Sequence, residues 1–166
     1  MRPIQTGRYM RAKKRVCDSR TEQVHIVMPP DINGQHRLFG GALMQWIDVV
    51  AGVVARRHAG GNVTTAVVDQ LTFLEPAYEN DIITSVGTVT YVGTSSMEVR
   101  VDTFVEADDG SRTLTNRAYF VMVAVDENGR PREVPELILE TDQERQEWEN
   151  ADLRQRLRQS RRRHDI

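Results

Sequence analysis

The chain has one cysteine, few aromatic residues, almost no net charge and no long apolar run, and each shortage removes a class of protein. The single Cys17 excludes an intramolecular disulfide and any multi-cysteine metal site. A formal net charge of -2, with a pI of about 6.1, gives nucleic acid no global attraction. No stretch approaches the roughly 20 apolar residues of a membrane span. The first residues lack the apolar core of a secretory signal, so a cytoplasmic protein is expected. No cluster of ligand residues suggests a metal. Hydrophobic residues make up only 39% of the 166 positions, but the deficit sits in two polar, charged ends. Residues 24–125 are apolar enough for one core.

What is present centres on one carboxylate. Asp48 is the only charged residue in LFGGALMQWIDVVAGVVA, residues 38–55. An ionised carboxylate in an apolar helix costs several kcal/mol unless it is paired or used, to an order of magnitude of about 3–5. Gly40 and Gly41 open this segment, and the polar loop of residues 31–37 precedes it. A loop rich in hydrogen-bonding groups, a glycine-led helix start and a carboxylate two turns further on resemble an active site.

Around this segment the order of elements is readable. Residues 1–15 carry Arg2, Arg8, Arg11, Lys13, Lys14 and Arg15 with no acid, which predicts a solvated, flexible arm. A subunit-wrapping arm or a targeting segment are the sharper alternatives. Val24, Ile26 and Met28 alternate with other residues and predict a strand over 21–28, broken by Pro29 and Pro30. Leu43, Ile47, Val50 and Val54 follow helical spacing, and Met44, Ala51 and Ala55 widen the stripe. A helix over 40–58, buried on most sides, is expected. Arg56, Arg57 and His58 suit its C-terminal end, and Gly60-Gly61 stops it.

Residues 63–74, 81–91, 96–106 and 112–125 are rich in Val, Thr, Ile and Phe, with turn residues between them. They predict an antiparallel meander with the helix on its concave face. In residues 141–166 acids come first and arginines later, the order that suits a helix dipole. A surface helix anchored by Trp148 is expected, its arginines solvated or available to phosphates.

One strand, a central helix and then four long strands is the order of the hot-dog fold, and the residues carry the likeness further. MPPDINGQHRLFGGALMQWIDVVAGVVARRH resembles the helix-start signature of the acyl-coenzyme A thioesterases of that fold. VTTAVVDQLTFLEPAYENDII, YVGTSSMEVRVDTFVE and YFVMVAVDENGRPREVPEL follow in the family's order, so the resemblance spans residues 18–137. It implies an α+β hot-dog domain over residues 18–138. There a long central helix is wrapped by an antiparallel sheet, between a basic arm (1–17) and a charged helical tail (139–166).

It also implies hydrolysis of acyl-CoA at a site between subunits, with a homodimer as the minimal unit and a trimer of dimers as the common assembly. Asp48 stands where the family's catalytic aspartate stands. Asn33 matches the loop asparagine supplied by the partner subunit. The loop departs from the family at His36-Arg37, where a glycine and a small or polar residue are frequent.

Thioester hydrolysis needs an activated water or a nucleophile and a group to hold the oxyanion. Asp48 can act as general base or attack directly through an anhydride. Asn33 can hold the water or polarise the carbonyl, and the Gly41 N–H at the helix start can receive the oxyanion. Against these stand duller roles: a structural carboxylate, a turn asparagine, glycines that relieve crowding. For coenzyme A the candidates are Arg56, Arg57 and the turn Gly93, Thr94, Ser95 and Ser96, each of which has an alternative as a helix cap or plain turn. Coenzyme A is part of the substrate, and no cofactor, metal, nucleic-acid or membrane partner is expected. Rival functions are a catalytically inactive acyl-CoA-binding protein, a hot-dog dehydratase or hydratase using His25 or His36, and a ligand-sensing regulator. The basic arm is too short to be the DNA-binding module that a regulator needs.

Overall fold

Residues 10–164 are described by the structure, a computed structural model, so Arg2 and Arg8 of the basic arm lie outside the described residues. In chain order the elements are β1 (Lys13–Arg15), β2 (Thr21–Ile26), α1 (Gly40–Ala59), β3 (Val63–Phe73), β4 (Ile82–Val92), β5 (Ser96–Glu106), β6 (Arg112–Ala124), β7 (Glu136–Ile138) and α2 (Asp142–His164). Short 3-10 turns occupy Val16–Asp18 and Pro29–Asp31.

The long strands form one antiparallel sheet in the order β2-β4-β5-β6-β3. The sequence reading placed all four later strands in a single meander, and this holds only for β4, β5 and β6. Their tight turns force neighbours to pair. The longer, proline-containing segment between β3 and β4 instead carries the chain to the other side of the sheet, so β3 pairs with β6 alone.

Leu43, Ile47, Val50, Ala51, Val54 and Ala55 turn one side of α1 onto the sheet, where they meet Val89, Val99, Val101, Phe120 and Met122. The close approach depends on Gly87: a Cβ there would lie 2.8 Å from side-chain methyls of both Val50 and Val54. At its far end α1 stops on Gly60, whose φ of 68° is left-handed and whose N–H donates to the Arg56 carbonyl at 2.8 Å.

Three local expectations are corrected. The series Val24, Ile26, Met28 does mark a strand, but it lies on the outer face, exposed; Gln23, His25 and Val27 turn inward, with His25 stacked on Trp46 at 4.3 Å. The described part of the basic arm is mostly exposed but is not a free, flexible chain. Lys13–Arg15 pair in parallel with Glu136–Ile138, and the Arg11 guanidinium donates to the carbonyls of Val134, Gly93 and Thr94. Such partners lie too far along the chain for local composition to reveal.

The third correction concerns the tail. α2 lies across the outer face of the sheet, begun by a capping box in which Thr141 and Glu144 each accept the other's backbone N–H. Trp148 packs on Tyr91 at 4.4 Å, as an anchor. Arg154 and Arg158, however, are largely buried against the carboxylates of Glu98, Glu147 and Asp69, and only part of the arginine row faces solvent.

Candidate active site

Asp48 sits on the side of α1 turned away from the core, together with exposed Gly41, Gln45 and Val49. The expectation of a helix buried on most sides is thus corrected for one chain, in which this side is open. The helix is apolar nearly all round because two of its sides want cover, and the sheet of one chain covers only one. The carboxylate is nevertheless held: the Thr65 hydroxyl, on the inner face of β3, donates to Asp48 Oδ1 at 2.9 Å. Sequence reasoning missed Thr65. It is one of several strand threonines, and only the pairing of β3 against the open side of α1 singles it out.

Asn33 belongs to a tight loop before α1. Its backbone N–H donates to the Arg37 carbonyl at 2.8 Å, and the His36 N–H returns to the Asn33 carbonyl at 2.9 Å. The turn requires φ of 58° at His36, a left-handed value that glycine would adopt without strain. That is the position at which the loop departs from the family pattern, and the loop closes with histidine in place. The Asn33 side-chain oxygen accepts from the N–H groups of Gln35 (2.9 Å) and Arg37 (3.3 Å). Its oxygen is therefore oriented by the loop, and the NH2 group, without a partner among the described residues, is left to donate.

Gly41 lies in the first turn of α1, where N–H groups lack intrahelical acceptors, and the Phe39 ring covers it so closely that a Cβ would come within 2.5 Å of that ring. Beside the helix start opens a cleft of about 340 Å³, lined by Asn33, Arg37, Leu43, Phe73, Leu74 and Thr115 among others. Asp48 is not on its wall. One chain thus joins Asp48 to Thr65 and Asn33 to the cleft, and does not join the two groups to each other.

The coenzyme candidates lie elsewhere. Arg56 is exposed. Arg57 is tied down, donating to the Thr21 hydroxyl at 3.1 Å and to the Arg20 carbonyl at 3.4 Å. Gly93, Thr94, Ser95 and Ser96 form the β4–β5 turn, close to where α1 ends: the Thr94 carbonyl accepts from Val134 N–H, and Ser96 pairs with Val123. Phe73 lines the cleft, Met44 packs on the core and Trp46 is stacked on His25. Neither His25 nor His36 bonds to Asp48 within the described residues of one chain. No group of metal-ligating side chains occurs among the described residues.

Residues 35–111 match the thioesterase superfamily. An uncharacterized acyl-CoA thioester hydrolase of Bacillus subtilis, YkhA, is 38% identical over 152 residues, which is 90% of this chain and 88% of the relative. The chain belongs to the acyl-CoA thioester hydrolases.

Its fold is the hot-dog fold. The acyl-CoA hydrolase of Staphylococcus aureus, solved in complex with butyryl coenzyme A, coenzyme A and coenzyme A disulfide, superposes with a TM-score of 0.88 at 36% identity, covering 92% of this chain and 94% of that one. The same bacterial enzyme has been solved with alanine in place of an aspartate, of an asparagine and of a threonine. An apo-hexameric acyl-CoA thioesterase is 38% identical, with a TM-score of 0.87 over 90% of this chain and 97% of that one. The mouse cytosolic acyl coenzyme A thioester hydrolase is 35% identical over 82% of this chain, and the chain spans only 36% of that longer protein.

Proposed function

We propose that this chain hydrolyses acyl-CoA thioesters to a free carboxylic acid and coenzyme A at a site shared by two copies, Asp48 coming from one and Asn33 from the other. The observation that carries the reading is the Thr65–Asp48 hydrogen bond on the open side of α1. The asparagine, aspartate and threonine altered in the S. aureus enzyme follow one another at the separations of Asn33, Asp48 and Thr65.

Thr65 holds Oδ1, which leaves Oδ2 to face the substrate. In the general-base route Asp48 takes a proton from water as the water oxygen attacks the thioester carbon. The oxyanion forms within reach of the Gly41 N–H and the Asn33 NH2, at the positive end of the helix. Collapse breaks the C–S bond, and the departing coenzyme A thiolate recovers the proton. In the covalent route Oδ2 attacks the carbon, the C–S bond breaks and coenzyme A leaves as thiolate; water then cleaves the anhydride, restoring the Asp48 carboxylate and releasing the acid, and the proton that water gives up passes to the thiolate. Neither route calls for a cofactor or metal.

For the coenzyme moiety, exposed Arg56 and the Gly93–Ser96 turn are better placed to meet phosphates than Arg57, whose guanidinium is engaged by β2. The uncovered side of α1 and the single-sided edge of β3 support a homodimer as the working unit, and the hexameric neighbour supports a trimer of dimers. No helix among the described residues is long and apolar enough to cross a membrane. A cytoplasmic location is part of the proposal.

The test is thiol release from a panel of acyl-CoA esters, short to long, with Cys17→Ser as background to silence the protein's exposed thiol. Release that falls at least about tenfold in Asp48→Asn supports the assignment. Coenzyme A binding without release from any ester would make the site a binding pocket.

A further inference from the structure

The ladder that joins the strand of Thr65 to β6 is interrupted twice, between Thr65 and Val67 and between Asp69 and Thr72. Gln70, inside the second interruption, takes a φ of 52°. Val67, Val68 and Asp69 are therefore a short paired stretch between two bulges, and Thr65 stands next to the first of them.

A second hold comes from the opposite face. Arg158, in the last turns of α2, reaches the Asp69 carboxylate at 2.9 Å and the Glu98 carboxylate at 2.9 Å through the same nitrogen. Glu98 is nearly sealed from solvent, at 1% side-chain exposure, and is also bound by Arg154 at 2.8 Å. Arg154 continues to Glu147 at 2.7 Å and lies over the Tyr119 ring. The series Asp69–Arg158–Glu98–Arg154–Glu147 thus ties β3 to β5 and to α2. Trp148, Ala151 and Arg154 already dock the helix. Arg158 extends the attachment to β3, with the more exposed Arg161 at 4.0 Å from the same Asp69 carboxylate.

We infer that Arg158 is a positioning residue for hydrolysis: it holds β3 from the outer face so that Thr65 meets Asp48 on the inner face. The inference rests on the proposed role of Asp48. Without Arg158 the Asp69 carboxylate keeps only the exposed Arg161 at 4.0 Å, so it shifts outward toward that partner and water. The strand segment moves with it, and small displacements of an orienting group lower turnover more than they lower binding.

The experiment measures kcat and KM for Arg158→Ala, Arg158→Lys, Thr65→Val and the Thr65→Val/Arg158→Ala double variant, with amide hydrogen exchange across residues 65–69 of the full-length protein. Arg158→Ala is expected to lower kcat about tenfold with KM within about twofold. Arg158→Lys restores most of the rate, because a cation still reaches Asp69. The double variant turns over no more slowly than Thr65→Val alone, since both changes remove one hydrogen bond. Exchange across 65–69 quickens in Arg158→Ala.

A lower melting temperature with unchanged kcat would make Arg158 a purely structural tie. Multiplying effects in the double variant would show that it does not act through Thr65. If the wild type released no thiol from any ester, the hydrolase reading and the catalytic half of this inference would fall together. The exchange data would still decide the rest: unchanged rates across 65–69 would show that Arg158 does not hold the strand.

Discussion

Thr65 donates its hydroxyl proton to Asp48 Oδ1 at 2.9 Å, joining the first strand after the central helix to the only acid of that helix's apolar stretch. The bond settles which carboxylate oxygen is occupied and which is free. A hydrogen bond to a charged group contributes about 1.5–3 kcal/mol. Thr65→Val, which keeps the shape and removes the donor, is expected to lower kcat by about tenfold or more. Steady-state rates on the best ester check this, and an unaltered kcat would reduce Thr65 to a packing residue.

Asn33 and Asp48 do not meet in one chain, and that has a direct test. Asp48→Asn and Asn33→Ala are each expected to be nearly inactive alone. Mixed, unfolded and refolded together, they form heterodimers in which one site has both intact residues. Activity should return to about a quarter of the wild-type rate if chains pair at random. No recovery from the mixture would place both residues in a site made by a single chain.

Gly87 is the point where the sheet makes room for the helix. The Cβ of Gly87→Ala would sit 2.8 Å from methyls of Val50 and Val54, stiff β-branched side chains on a packed helix. Overpacking of this kind costs about 1–3 kcal/mol, which outweighs the roughly 0.5–1 kcal/mol that a strand gains when glycine is replaced. Urea denaturation should show a lower midpoint. An equal or higher midpoint would mean that α1 yields easily at this crossing.

His58 makes stability depend on pH. It is fully buried, with Nε2 donating to the Pro135 carbonyl at 2.9 Å and Nδ1 without a partner among the described residues. Burial pushes its pKa below the ordinary 6.5, the bond to Pro135 opposing. Burial does the same to His25, with Asp31 opposing. The unfolded chain therefore takes up protons near pH 6.5 that the folded chain refuses until lower pH. Stability is full above that range, falls as pH drops through it, and levels off below the depressed folded values. Denaturation midpoints measured from about pH 8 to about pH 5 should decline, and less steeply in His58→Gln. Identical slopes in the two proteins would show that His58 contributes nothing to the decline.

The helix and the strands were legible because each leaves a local mark. Leu43, Ile47, Val50 and Val54 announce a helix by spacing alone, and the hairpin turns announce β4, β5 and β6. Asp48 stands out as a charge among apolar residues, whereas Asn33 was singled out by the family resemblance alone. Val24, Ile26 and Met28 show the limit of such marks. Alternation identified their strand but not which face would be buried, because that depends on what packs against each side.

The elements, their order and the family were within reach of the sequence, and it nominated Asn33 and Asp48, since all of these rest on near-neighbour spacing and on segments compared in order. Tertiary structure decided what depends on partners far along the chain. It paired β3 with β6, joined Thr65 to Asp48, bound Arg11 to the carbonyls of Val134, Gly93 and Thr94, and turned Arg154 and Arg158 inward onto Glu98. Hydroxyls, carbonyls and charges carry no sign in sequence of which distant group will satisfy them. Only the folded sheet brings those groups within reach, and the energy of a polar contact depends on that distance.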